Sequence, residues 1–152
     1  MPTLLYYPDA LKLGRSEFRA AMLKGEHPYP PVLDAIVPDG RITRGQDLGY
    51  TYIPMEFVVG TRTDGRTNAF ARNFMPVMKP GTEFALKWDK LYISQMEEGI
   101  RDPILAYEFM NRYYVQEGNK RVSVLKFVGA DTVYAHVIRV LLEPGEASEQ
   151  DE

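Results

Sequence analysis

Apolar residues recur at helical spacing in two segments of the chain and as short alternating runs elsewhere. From Pro8 to Lys24 the pattern predicts a helix, with Phe18, Met22 and Leu23 at helical spacing and Gly25 as its stop. A stronger helix is predicted over Thr82–Glu98, where Phe84, Trp88, Leu91 and Tyr92 fall at i, i+4, i+7 and i+8 and Thr82 stands as the N-cap. Its aromatic stripe reads most simply as core. Tyr50–Val59 reads as a strand broken by Pro54, which belongs at a sheet edge or a strand start because it cannot donate to a ladder. Toward the C-terminus, strands are expected at Pro103-Ile104, Tyr113–Gln116 and Val133–Val140, with a short helix opening at Gly118–Arg121.

Between these elements lie two segments of unusual composition. Glu26–Pro38 carries four prolines and predicts an extended arm with one helical turn near Val32–Ile36. Burial of Tyr29, Val32 and Leu33 would lay that arm on its own domain or on a second subunit; its own domain is the preferred choice. Asp39-Gly40 marks the turn after it. Gly60–Pro76 is long, polar and cationic, which is unusual for scaffolding because such a loop stabilises little and costs ordering entropy. It is read as a lid; the alternative is a solvated loop with arginine ion pairs. The expected organisation is an N-terminal helix and arm over residues 1–47, a domain over 48–142 and an acidic tail over 143–152.

Composition narrows the classes. A chain of 152 residues with 45% apolar and 26% charged residues fits one domain with an ordinary core. No apolar stretch of about eighteen residues and no basic start followed by an apolar run occurs, so neither a membrane span nor a signal peptide is expected. There is no cysteine, which excludes thiol chemistry and fits the cytoplasm, and the two histidines, His27 and His136, lie too far apart for a zinc-ligand spacing. Five acids and no base lie in Glu143–Glu152; removing them from a chain of net charge −3 leaves a body of +2. That tail is expected to be disordered and leaves a further C-terminal domain in a longer parent plausible. The body is too weakly basic for charge alone to indicate nucleic acid.

The candidate chemistry centres on Gly118-Asn119-Lys120-Arg121. Gly118 permits close backbone approach to a ligand, and Asn119 is read as the cap of the following helix. Lys120 and Arg121 in a first helical turn run against the usual preference for acids there, and a bound anion would compensate them. A solvated turn is the competing explanation. The Gly-Lys-Ser/Thr spacing of a Walker phosphate loop is missing. Glu117, directly before the turn, is the candidate general base or ribose contact, a plain hydrogen bond to the turn being equally open. Glu56, Asp64 or Glu117, the last the best of the three, could also hold Mg²⁺ beside phosphates; no dedicated protein metal site is expected.

The order Gly99-Ile100, Pro103-Ile104, Tyr113–Gln116, Gly118–Arg121 and Val133–Val140 resembles the ParB N-terminal/sulfiredoxin-like superfamily over roughly the last sixty residues, and before that loosely, at a first strand near Ile53–Val59. The resemblance implies an α+β fold, a small mixed sheet with flanking helices, and a turn that holds nucleotide phosphates; it also implies that the segment after the first strand lies near that pocket, with Arg62, Arg66, Thr67, Asn68 and Arg72 as candidates to meet the phosphates from the side opposite Gly118–Arg121. Members carry Gly-Glu-Arg-Arg or Gly-Cys-His-Arg there, and Gly118 and Arg121 match both patterns. Asn119 stands in place of the sulfiredoxin cysteine and the ParB glutamate, so the sulfiredoxin reaction does not carry over. The implied ligand is a nucleoside triphosphate, CTP or ATP, with Mg²⁺ as an optional companion and slow hydrolysis or phosphoryl transfer as an open extension. Alternatives are a DNA-associated ParB-like regulatory module, or a dimerisation or sensor domain fused to a ligand-binding partner.

Overall fold

The computed structural model describes residues 6–37, 42–65, 67–99 and 101–142. The expected Asp39-Gly40 turn, Arg66 and the 143–152 tail lie outside the described residues. The chain forms a mixed five-stranded sheet with helices, in agreement with the expected α+β class. In order, the elements are α1 (Tyr7–Leu23), α2 (Leu33–Ile36), β1 (Ile42–Pro54), β2 (Val58–Thr61), α3 (Glu83–Glu97), β3 (Ile104–Phe109), β4 (Arg112–Glu117), α4 (Asn119–Phe127) and β5 (Thr132–Leu142). The sheet order is β1-β5-β3-β4-β2. Two pairs, β2 with β4 and β3 with β5, are parallel; β1 with β5 and β3 with β4 are antiparallel.

Alternation along the strands divides the sheet into two apolar faces. On one, Ile104, Ala106, Val115, Val133, Ala135 and Val137 pack against Val122 and Leu125 of α4 and against Phe70 and Phe74. Above α4, a second cluster joins Tyr7, Ala10 and Leu11 of α1 to Ala85 and Trp88 of α3 and Val124 of α4. The opposite face holds Tyr114 and Val140, covered by Leu33 and Val37.

The Pro-rich arm wraps its own domain. Pro31 O accepts from Thr61 N at 2.9 Å, Arg62 O accepts from Asp34 N at 3.2 Å, and Val32 forms a parallel bridge with Thr61. Gly60 makes this approach possible, since a Cβ there would lie 2.1 Å from Pro31 O.

Three expectations are corrected. Tyr50–Val59 is not one strand: β1 ends at Pro54, a 3₁₀ turn takes Met55–Phe57, and the chain re-enters the sheet as β2 at the opposite edge. Pro54 thus sits at the end of an edge strand, where its missing N–H costs no ladder bond. β1 itself starts at Ile42. In α1 the buried face is Tyr7, Ala10, Leu11, Gly14 and Ala21, whereas Met22 and Leu23 are exposed. Small residues let α1 pack closely, and Gly14 is required where a Cβ would lie 2.0 Å from Pro76 O. Finally, Asn119 does not cap α4. Gly118 is the cap residue, in the left-handed region at φ +100°, and Asn119 is already helical with its side chain turned inward.

The predicted helix over Thr82–Glu98 is present as α3, and Thr82 Oγ1 accepts from Ala85 N at 3.2 Å. α3 in turn caps α1 from a distance. The buried Asp89 carboxylate accepts from Tyr6 N at 2.8 Å and Tyr7 N at 2.9 Å, placing negative charge at a helix N-terminus that has no local side-chain cap.

Candidate functional site

β4 ends at Glu117, the chain reverses through Gly118, and α4 begins at Asn119. The left-handed Gly118 sits tight on β3: a Cβ there would lie 2.6 Å from Ile104 Cγ2. Val122 N makes the first intrahelical bond, to Gly118 O at 3.0 Å. Earlier amides of this turn have no carbonyl within the helix, so the turn presents the positive end of α4.

That end opens into a cavity of about 440 Å³ lined by Gly65, Ala69, Phe70, Phe84, Lys87, Lys90, Leu91 and Gly118–Arg121. Its wall has two chemical halves. Ala69, Phe70, Phe84 and Leu91 are apolar, while Lys87, Lys90, Lys120 and Arg121 bring four cations. Lys120 Nζ lies over the Phe84 ring, 5.2 Å from its centroid. Arg121 is anchored by a 2.9 Å bond from Nη1 to Pro103 O. Lys87 pairs with Glu83 at 2.9 Å on the exposed flank of α3 and holds the Glu83 carboxyl below its usual range.

Asn119 is the unusual member. It is only 5% exposed, and both polar atoms of its carboxamide, Oδ1 and Nδ2, are buried without a hydrogen-bond partner. A buried amide left unpaired costs about 1–3 kcal/mol, and one such group at a cavity wall calls for an explanation.

No protein-family model matches the sequence, and no curated protein matches it. Among solved structures, sulfiredoxin from Arabidopsis thaliana is similar, with 19% identity and a TM-score of 0.40, over 58% of this chain and 82% of its own. At that distance the likeness says nothing about ligand or chemistry.

The structure brings together Gly118, Asn119, Lys120 and Arg121 of the residues expected at the site. Among the described residues, it does not bring the lid arginines Arg62 and Arg72 to the cavity. Arg62 lies on the opposite face of the sheet, its guanidinium 4.1 Å from the Tyr107 ring centroid and its Nη1 bonded to Gln116 Oε1 at 2.8 Å. Arg72 is held by Glu17 at 2.8 Å and Glu26 at 2.9 Å, tying the segment to α1 and the arm. Thr67 is buried and donates to Pro30 O at 2.9 Å. Asn68 is exposed and outside the cavity lining, and Arg66 lies outside the described residues. The segment is therefore packed at Thr61, Thr67, Phe70 and Ala71, and contributes Gly65, Ala69 and Phe70 to the cavity, whereas Arg62 and Arg72 are engaged elsewhere. Glu17 and Glu26 neutralise Arg72 and Pro30 O satisfies Thr67, while Arg62 is held by Gln116 and Tyr107 with its buried Nε left without a hydrogen-bond partner.

Glu117 is exposed at the end of β4 and does not line the cavity, while Glu56 lines a separate one with Lys126 and Asp131. Among the described residues no group of three His, Asp or Glu side chains could hold a metal. No described helix is long and apolar enough to cross a membrane.

Sequence reasoning missed Lys87 and Lys90. Phe84, Lys87 and Leu91 share one helix face at i, i+3 and i+7, which is visible in the sequence. That this face looks across at the Gly118 turn depends on how α3 lies over α4.

Proposed function

We propose that the protein is a nucleotide-binding module whose phosphates sit against the first turn of α4. The observation that carries this reading is the first turn of α4 opening into a cavity rimmed by the four cations Lys87, Lys90, Lys120 and Arg121. An anion there meets the positive end of α4, the Arg121 fork and the Lys120 ammonium. The polar half suits phosphates, and the apolar half suits a base lying along Phe70, Phe84 and Leu91. A volume of about 440 Å³ is within the range of small-molecule sites. CTP or ATP with Mg²⁺ are the first ligands to test, the metal being carried by phosphate oxygens and water with few protein carboxylates. Glu117 has no step in this reading, which is one of binding.

Saturating nucleoside triphosphate with Mg²⁺ should raise the unfolding temperature, because a ligand at about 100 times its Kd adds roughly 2.7 kcal/mol to the folded state. Arg121→Ala and Lys120→Ala each remove a charge-assisted contact worth about 1.5–3 kcal/mol, and each should weaken binding by roughly tenfold or more. Arg62→Ala, on the other face of the sheet, serves as control and should leave binding unchanged. A thermal-shift series that responds to no nucleotide, or in which Arg121→Ala behaves as wild type, rules the reading out.

A further inference from the structure

We infer that the groove between α1 and the Pro-rich arm is a second binding site, separate from the α4 cavity, and that it takes a small amphipathic carboxylate, an anionic head on an apolar chain. The groove encloses about 500 Å³ and is lined by Arg15, Phe18, Arg19, Met22, Tyr29 and Val77. On α1 these fall as two pairs, Arg15 with Arg19 and Phe18 with Met22, each at i and i+4. One face of the helix therefore carries two cations beside an apolar strip. Among the described residues, no acid lines the groove.

The arm wall is fixed on either side of Tyr29: Pro28 O accepts from Arg72 N at 2.9 Å, and Pro30 O accepts from Thr67 Oγ1 at 2.9 Å. Tyr29 meets Phe18 edge-on with ring centroids 5.4 Å apart, so the two rings hold each other in place. The charge of the helix wall is left uncompensated. Glu17 and Glu26, the acids that follow Arg15 and Arg19 in the chain, both pair with Arg72, at 2.8 and 2.9 Å. Among the described residues Arg15 and Arg19 have no ion-pair partner. Two guanidinium forks one helical turn apart match the planar oxygens of a carboxylate. Met22, 58% exposed, gains from being covered, and its flexible thioether accepts an aliphatic chain of no fixed shape. An ammonium head would meet two like charges, and a bare anion would leave the apolar strip unused.

Calorimetric titration with decanoate and decylamine below their micelle concentrations, and with acetate, tests this. Decanoate should bind saturably at one site, and decylamine and acetate at least about tenfold more weakly. In the double variant Arg15→Gln/Arg19→Gln decanoate affinity should fall by roughly tenfold, and in Met22→Asp by a similar factor. All three side chains are exposed, so the unfolding temperature of the free variants should stay within about 2 °C of wild type. Absence of saturable decanoate binding to wild type overturns the inference. So does decylamine or acetate binding as tightly as decanoate, which removes the need for a head of this charge or for the apolar chain. Decanoate affinity unchanged in the arginine double variant, or in Met22→Asp, places the ligand elsewhere and overturns it as well. The nucleotide reading of the α4 cavity stands or falls separately from all of these outcomes.

Discussion

Replacing Trp88 with alanine should destabilise the protein by about 4 kcal/mol, within the range for deleting a fully buried aromatic, and lower the unfolding temperature by roughly 10 °C. Trp88 is 0% exposed and sits where α1, α3 and α4 meet. Its ring meets Tyr7 edge-on at 5.6 Å and Phe127 at 5.4 Å, and stacks with Tyr92 at 6.1 Å. Its Nε1 donates to the buried Ser123 Oγ of α4 at 2.8 Å, so alanine also strips that hydroxyl of its donor. Loss of the indole removes the main fixture between the two helices whose facing residues form the cavity. Nucleotide response should therefore weaken in any Trp88→Ala protein that remains folded. Trp88→Phe, which keeps most of the aromatic packing and loses the hydrogen bond, should cost about 1–2 kcal/mol. Urea melts of the three proteins give both figures; a loss below about 1 kcal/mol in the alanine variant would contradict the packing described.

Gly118→Ala should cost about 2–4 kcal/mol and abolish the nucleotide response. Two effects combine. The residue adopts φ +100°, which L side chains rarely occupy, and an added Cβ would lie 2.6 Å from Ile104 Cγ2 and 3.0 Å from Ile104 Cβ. Ile104 is buried in the main core and cannot retreat, so the turn must shift and α4 with it. Gly129 supplies a control that separates the effects. It has φ +79°, and a Cβ added there would meet no atom within 4 Å, so Gly129→Ala carries the conformational cost alone, about 1 kcal/mol. Equal losses at the two glycines would show that close packing on Ile104 is not what holds the turn.

Much of the fold was legible in local pattern. The aromatic spacing of α3, its Thr82 cap, the four C-terminal elements and the single helical turn in the arm all follow from signals within a few residues of each other. What could not be read depends on partners far along the chain. Nothing near Tyr6 announces that α1 is capped by Asp89, and nothing in Pro54 says that the strands on either side of it go to opposite edges of the sheet. The arginines between Thr61 and Arg72 had the composition of a ligand loop, but Glu17, Glu26, Gln116 and Tyr107 engage two of them within the fold. The Gly118–Arg121 turn was visible because glycine, cations and a helix start coincide. Its second wall, Lys87 and Lys90, was hidden by the question of which face of α3 turns toward α4. Asn119 reads locally as a cap, whereas its side chain is buried, which no local signal reveals.

Whether nucleotide occupies the cavity at the start of α4 is decided by amide chemical-shift mapping during titration with Mg²⁺ and ATP or CTP. Saturable shifts should concentrate at residues 118–121 and 84–91. Absence of saturable shifts, or shifts confined to the opposite face of the sheet around Arg62 and Tyr107, would contradict nucleotide binding at this site.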